Sequence, residues 1–448
     1  MSADSILMAA AGGSKVLTFV GSYAAALTAS ASDISVPLTS LTGGVGSSPA
    51  EGDVVVVFFA INATSDLTYN IFAYDKIADL YANDTQDINL FVGYRVMGST
   101  PDTTLTLTGG TTSASNGGSI VVQVWRNANP YIPPANATTA TALNSYLANP
   151  PSITPGASGY AILCAGAGTL AGATASGQTY SSSDLTGFVS ANGQGSSVDS
   201  IIGSGYKLGQ PGGSPFDPAA FTGSASDSTN YSWAAISLVI TPDAGNDPAP
   251  SLIATSQAAH PKDGSSSLTI NKPAGTQQGD VMVAFLCADS GSVSTWTSPA
   301  GWTEVADQGA RPCLCVSYKV AGASEGASYA FSHSNDTNDQ AVAGAIATYR
   351  YGGYAAIGSS VSGANPLTPT GPSTSFSYTR LIGFAANSAG SSTITSTMNN
   401  RIALNNDAAA PSYGLFDETI PSGSPGTRSF TVGTTTNVAA VLLTLTPS

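Results

Sequence analysis

The sequence predicts an all-β fold, and three observations carry that prediction: apolar residues fall in strand-length runs, Gly and Pro punctuate the runs, and charge is scarce. Charged residues are 9% of the 448-residue chain, against roughly 25% in an average soluble protein. Ser, Thr, Asn, Gly and Gln therefore dress the surface, where helices would favour Lys, Glu, Gln and Arg. Thr, Val and aromatic side chains suit pleated, half-buried strands. The 49 Gly and 26 Pro supply turns, and a hydrophobic content of 42% argues against disorder.

Charge and cysteine usage narrow the partners. A net charge of −14 with only 13 Lys and Arg, thinly spread, repels phosphate backbones, so nucleic acid is not an expected partner. No run reaches the length of a membrane span, so no membrane insertion is expected. Residues 1–13 lack the basic start and the long apolar stretch of a signal peptide. They belong to no repeat and read as an N-terminal anchoring segment. Cys164, Cys287, Cys313 and Cys315 are too few and too unevenly placed for a disulfide framework, which fits synthesis in a reducing cytoplasm.

A tandem duplication organises the chain. Gly52-Asp-Val-Val-Val-Val-Phe58 matches Gly279-Asp-Val-Met-Val-Ala-Phe285, and Tyr94-Arg-Val96 matches Tyr318-Lys-Val320. Trp125-Arg126 matches Tyr349-Arg350, Tyr160–Ala165 parallels Arg380–Ala385, and Ala234–Pro242 parallels Ala439–Pro447. The order is kept while the offset drifts from 227 to 205, as expected when loops change length between strands. The expected architecture is two tandem β-sandwich, jelly-roll-like modules, 14–241 and 252–448, joined by the Pro-rich linker 242–251. Each copy divides into halves, read as the two stacked sheets of one sandwich. The runs Val54–Ile61, Val281–Cys287 and Ala439–Leu443 are continuously apolar. A strand with one wet face alternates, so these need cover on both faces, from another layer or another subunit.

Chemistry-bearing residues are sparse. His260 and His333 lie in no catalytic context, and no nucleophile elbow is present. Asp75, Asp79, Asp84 and Asp87 in copy one, and Asp336 and Asp339 in copy two, read as solvated loop acids. The loops Asn83–Asp87 and Asn335–Asp339 offer hard oxygens suited to calcium but lack EF-hand spacing. Cys313 and Cys315 share one strand face at period two, with Cys287 placed on a neighbouring strand. Copy one has no equivalent pair, so they read as buried apolar residues, not zinc ligands. Trp296 and Trp302 read as core, whereas Tyr351 and Tyr354, flanking Gly352-Gly353, are the candidates for exposure. Gly109-Gly110 and Gly117-Gly118 read as hairpin turns. Sequons at Asn62, Asn83, Asn136, Asn230 and Asn335 read as accidents of composition. No catalytic, cofactor-binding or metal-binding residue is predicted, and the chain reads as no enzyme.

Gly279-Asp280 before an apolar strand, Pro299-Ala-Gly-Trp302-Thr303, Tyr318-Lys-Val-Ala321 and Tyr349-Arg350 together resemble a module of bacteriophage virion proteins of the minor tail or fibre type. The start Ile6–Gly12 is similar to the start of phage structural proteins. The resemblance covers copy two well and copy one in outline, since copy one has Tyr69–Leu80 where the Pro-Ala-Gly-Trp element would stand. It implies a virion protein of the decoration, fibre, spike or tail-associated class, made in the bacterial cytoplasm, with other virion proteins and its own copies as partners. Alternative readings are a carbohydrate-binding adhesin for a host surface glycan and, below it, a glycan-cleaving depolymerase.

Overall fold

In a computed structural model the chain divides into two compact units, 1–246 and 247–448. The structure describes residues 16–447 except 28–32, 68–70, 72, 99, 109–116, 133–135, 157–159, 172–176, 196–197, 227, 229, 244–248, 262–264, 290–294, 310, 335–340, 364, 375, 377, 389–391, 405–410, 421–422 and 434–436. Residues 1–13, Gly109-Gly110 and the Asn335–Asp339 loop lie outside the described residues.

Among the described residues all secondary structure of any length is β, and it forms four sandwich-like modules, not two. Module 1 contains β1 (Thr18–Leu27), β2 (Asp33–Pro37), β3 (Val54–Ile61), β4 (Asp75–Ala82), β5 (Ile88–Val96), β6 (Thr104–Thr108) and β7 (Gly118–Arg126). Module 2 contains β8 (Ala137–Leu143), β9 (Ala161–Ala171), β10 (Tyr180–Ser181), β11 (Thr186–Gly193), β12 (Val198–Leu208), β13 (Thr222–Gly223) and β14 (Ser232–Ile240). Module 3 contains β15 (Ser251–His260), β16 (Ser267–Asn271), β17 (Val281–Ala288), β18 (Trp296–Thr297), β19 (Thr303–Gln308), β20 (Cys313–Val320), β21 (Ser328–His333) and β22 (Val342–Arg350). Module 4 contains β23 (Gly352–Ser362), β24 (Thr379–Asn387), β25 (Ile394–Ser396), β26 (Asn399–Leu404), β27 (Ser412–Ile420), β28 (Phe430–Val432) and β29 (Val438–Pro447).

Each module is a five-stranded antiparallel sheet covered on one face by a small sheet. The large sheets run β1-β7-β3-β5-β4, β8-β14-β9-β12-β11, β15-β22-β17-β20-β19 and β23-β29-β24-β27-β26. Pairing is nested: in module 3 the first strand pairs with the last, β16 with β21, and β17 with β20. The small sheets are β2-β6, β10-β13, β16-β21-β18 and β25-β28. Single bridges extend this cover in modules 2 and 4, where Ile153 meets Phe216 and Leu367 meets Phe430. The halves of each copy, expected to be the two sheets of one sandwich, are thus complete sandwich-like modules, each with its own buried core.

The uninterrupted apolar strands follow from this layering. In β3, Val55, Val57, Phe59 and Ile61 enter the module 1 core under β2 and β6. The alternate residues Val54, Val56, Phe58 and Ala60 are equally buried because the large sheet of module 2 packs on that face. In unit 2 the large sheets of modules 3 and 4 pack likewise, with Phe285 stacked on Phe384 at a centroid distance of 5.3 Å. The second layer comes from the neighbouring module of the same chain. Strands with a wet face alternate as they should: β21 reads exposed–buried throughout.

Bulges recur at the margins. The outer strands β4, β11, β19 and β26 each carry an irregularity, between Lys76 and Ala78, Thr186 and Val189, Glu304 and Ala306, and Asn400 and Ile402. Extra residues at these edges twist the strand and disfavour pairing with another chain. Arg126 and Arg350 are followed by Asn127 and Tyr351, both in the left-handed region with φ of 57° and 59°, where the chain turns into the next module.

Candidate functional site

The matching sequence anchors of the two copies prove to be partners in one clasp. Gly52 and Gly279 adopt φ of 79° and 91°, with open space where a Cβ would lie, so backbone conformation and not crowding selects glycine. The turn sets Asp53 and Asp280 at the start of the central strand, opposite the end of the last. There Arg126 donates from Nε and Nη2 to the Asp53 carboxylate at 2.9 and 2.8 Å. Arg350 grips Asp280 at 2.9 Å through both nitrogens. The backbone N–H of Ala50 and of Gln277 also donates to these carboxylates, each at 2.8 Å. Such two-pronged pairing is the strong form of an arginine–carboxylate contact. Modules 2 and 4 have no such pair at these positions: the register places Tyr160 with Thr241, and Thr379 with Thr446.

A second ionic group lies wholly inside unit 2. Asp417 on β27 is 0% exposed, and Arg380 and Arg401 from the flanking strands β24 and β26 both donate to its Oδ1. Tyr349, from the facing sheet, donates to Oδ2 at 2.9 Å. Arg380 also donates to Thr419 Oγ1 at 2.8 Å. Burial, reinforced by the Asp417 charge, holds the Tyr349 phenol well above its ordinary range, so it stays a proton donor. Sequence reasoning passed over this group. The signal was a half-period: Tyr94-Arg95-Val96 and Tyr318-Lys319-Val320 are 224 apart, and Tyr206-Lys207-Leu208 stands midway. Following the strand register, the fourth occurrence is Asp417-Glu418-Thr419, where Tyr becomes Asp and the cation becomes an acid. The neighbouring contact changes sign with it. Arg95 pairs with Asp102 at 2.7 Å and Lys319 with Glu325 at 2.8 Å, whereas Glu418 accepts from Arg428.

The equivalent position in unit 1 is aromatic. Tyr206 stands edge-on to Trp125 at 5.0 Å, and Phe19 packs against both. Beside them Gln123 Nε2 donates to Ser204 Oγ at 2.9 Å, and Ser119 Oγ lies 3.0 Å from Ser200 Oγ across the two sheets.

The remaining sequence candidates are mostly bound into the structure. Asp87 accepts from Tyr81 OH at 2.6 Å and from the Asp84 N–H at 2.7 Å, and Asp84 accepts from the Thr85 N–H at 2.6 Å. These acids are committed to the turn that holds them. Asp79 pairs with Lys76 at 3.5 Å, and Asp75 lies on the same outer strand. Asn62 is buried and donates to the Asp87 carbonyl at 2.6 Å. His260 ends β15, and His333 is buried edge-on to Trp296 at 5.3 Å. Trp296 and Trp302 are in the module 3 core. Tyr354, expected to be exposed, is half-buried and stacks on Tyr318 at 4.2 Å; Tyr351 is half-buried too. Gly117, read as a turn, instead touches module 2, donating to the Val198 carbonyl at 3.0 Å.

Cys313 and Cys315 do share a face, that of the module 3 core, but Cys287 pairs with Leu314 and so points the opposite way, towards module 4. Burial pushes the Cys164 thiol up to about 12 and those of Cys287 and Cys315 higher still. These three are protonated at neutral pH and weak nucleophiles. Among the described residues no three His, Cys, Asp or Glu side chains converge as a metal site, and no helix is long and apolar enough to cross a membrane. No protein-family model, curated protein or solved structure matches the chain.

Proposed function

We infer that the chain is a non-catalytic structural protein of a bacteriophage virion, displayed as a decoration, fibre, spike or tail-associated component. The observation that carries this reading is the use made of its buried charges: Asp53 with Arg126, Asp280 with Arg350, and Asp417 with two arginines all tie strand to strand. Nested pairing of first strand with last is a feature these sandwich-like modules share with jelly rolls, a frequent architecture of virion and lectin domains, and it supports the reading. The sequence resemblance to phage tail and fibre modules points the same way, and residues 1–13 are the proposed anchor. Mass spectrometry and a density map of purified particles test the reading; a protein absent from particles and left in the lysate would sink it. Deletion of residues 2–13 is expected to lower incorporation.

A second reading, a carbohydrate-binding adhesin, is favoured by one observation. The half-buried rings of Tyr318 and Tyr354 form an aromatic pair at the surface of unit 2. A glycan array with the purified chain, and with Tyr354→Ala, tests it.

A further inference from the structure

Four sheets of one topology in one chain raise a problem of partner choice. Each large sheet has a second apolar face, and such faces adhere with little discrimination. We propose that the buried polar residues on these faces form a pairing code. Module 1 accepts module 2, module 3 accepts module 4, and each rejects the other faces, including those of a second copy of this chain.

The code emerges when modules are aligned by strand register. Ser119 and Gln123 of module 1 correspond to Ala343 and Ala347 of module 3. Across the interface, Ser204 of module 2 corresponds to Leu415 of module 4, and Ser200 to Pro411. Hydroxyl and amide thus face hydroxyls in unit 1, and alanines face apolar side chains in unit 2. Trp125 corresponds to Tyr349, and Tyr206 to Asp417, so ring on ring becomes phenol on carboxylate.

Three wrong pairings show how a buried polar group is stranded. Module 1 on module 4 would set Gln123 against Leu415, and Asp417 against Trp125, whose indole N–H is directed at Gln123 Oε1. Module 3 on module 2 would leave Ser204 against Ala347 and the Tyr349 phenol against a ring. Two module 4 faces would bury four arginines with two aspartates. Stranded groups of this kind cost far more than the right pairing gains from them. Apolar area supplies the attraction, and the polar positions supply the choice.

Disulfide trapping in the full-length chain tests the code. Ser119→Cys with Ser200→Cys spans the right pair, and Ser119→Cys with Pro411→Cys spans the wrong one. Each variant is refolded, oxidised with diamide, and mapped by mass spectrometry within and between chains. The 119–200 crosslink is expected to dominate, with 119–411 at background. Recoding module 4 by Arg380→Ala, Arg401→Phe, Leu415→Ser and Asp417→Tyr is expected to raise 119–411 about tenfold. Abundant 119–411 crosslink without recoding, or none in a folded recoded chain, overturns the proposal. Should the recoded chain lose its β-sheet circular dichroism, Gln123→Ala with Trp125→Tyr in the Ser119→Cys, Pro411→Cys background decides. Those changes give module 1 the equivalents of Ala347 and Tyr349 of module 3, and no rise in the crosslink would overturn the code.

Discussion

The sheet–sheet interface of unit 1 closes at one margin on glycine backbones and hydroxyl contacts, whereas that of unit 2 is filled in its middle by large aromatic side chains. In unit 1 the backbones nearly touch: a Cβ added to Gly117 would lie 1.9 Å from the Gly193 carbonyl oxygen, and one on Gly193 1.7 Å from that of Gly118. Serines, Gln123 and a rim of three aromatic rings complete the contact. In unit 2, Phe285, Phe384 and Tyr413 fill the middle, and the Tyr413 hydroxyl is shared between Gln257 and the Gly344 carbonyl. The rim there is ionic. The comparison teaches that topology fixes which layers meet, while side-chain volume sets how they meet. In unit 1 polar groups meet across the sheets through short hydroxyl and amide contacts. In unit 2 long side chains take that part, and bring charge with them.

The largest effect expected from breaking this contrast is at Asp417. Asp417→Ala removes the carboxylate that two buried guanidinium groups share and should destabilise unit 2 by about 3–5 kcal/mol. Hydrogen exchange of β27 should rise accordingly, with β12 in unit 1 unchanged. Replacing the whole group, Tyr349→Phe with Arg380→Met, Arg401→Leu and Asp417→Leu, should restore stability or exceed it. Next is Gly193→Ala, where the added methyl has no room. It should cost unit 1 about 1–3 kcal/mol, read as faster exchange in β11 and β12. The two clasps offer a smaller, paired test. The Arg350 side chain is 9% exposed and that of Arg126 is 40% exposed. Arg350→Met should therefore cost about 2 kcal/mol and Arg126→Met less than about 1 kcal/mol in denaturant titrations. The smallest effect concerns pH. Burial holds the Asp199 carboxyl above its usual range, despite a hydrogen bond from the Gly195 N–H. A raised folded pKa means that stability is fullest below the unfolded value, about 4, and is lost as pH rises through the folded value. Asp199→Asn should flatten that loss in unit 1, seen as a melting temperature less dependent on pH just above 4.

Composition and punctuation made the β class legible, and unbroken runs such as Val54–Ile61 correctly called for cover on both faces. Order-preserving anchors revealed the duplication because Gly, Asp and Arg serve one clasp in modules 1 and 3. The inner repetition was hidden because modules 2 and 4 lack that clasp, leaving little but apolar residues to align. Register was the other loss. Tyr160 was set beside Arg380, yet Ala161 pairs with Ile240 where Arg380 pairs with Leu445, so the true match is one residue on. A slip of one turns every side chain to the opposite face. Cys287 does lie on the strand next to Cys313 and Cys315, as expected, but only register shows that it faces the other way. Asp417, Arg380 and Arg401 were passed over because charged residues are rarely fully buried, and only register brings three strands and a facing tyrosine together.

The clasp has a mechanical consequence. In every module the first and last strands lie side by side and antiparallel, so the entry and exit of the chain sit at the same end. Tension applied through those two points peels the strands apart one rung at a time instead of loading all rungs together. Arg126 and Arg350 stand at that end, on the last residue before the exit. The fork ties the last strand to the central one, so the first strand can peel away without loading it. Only detachment of the last strand from β3 or β17 must break it. Modules 2 and 4 lack that second stop and should come apart further at the same force.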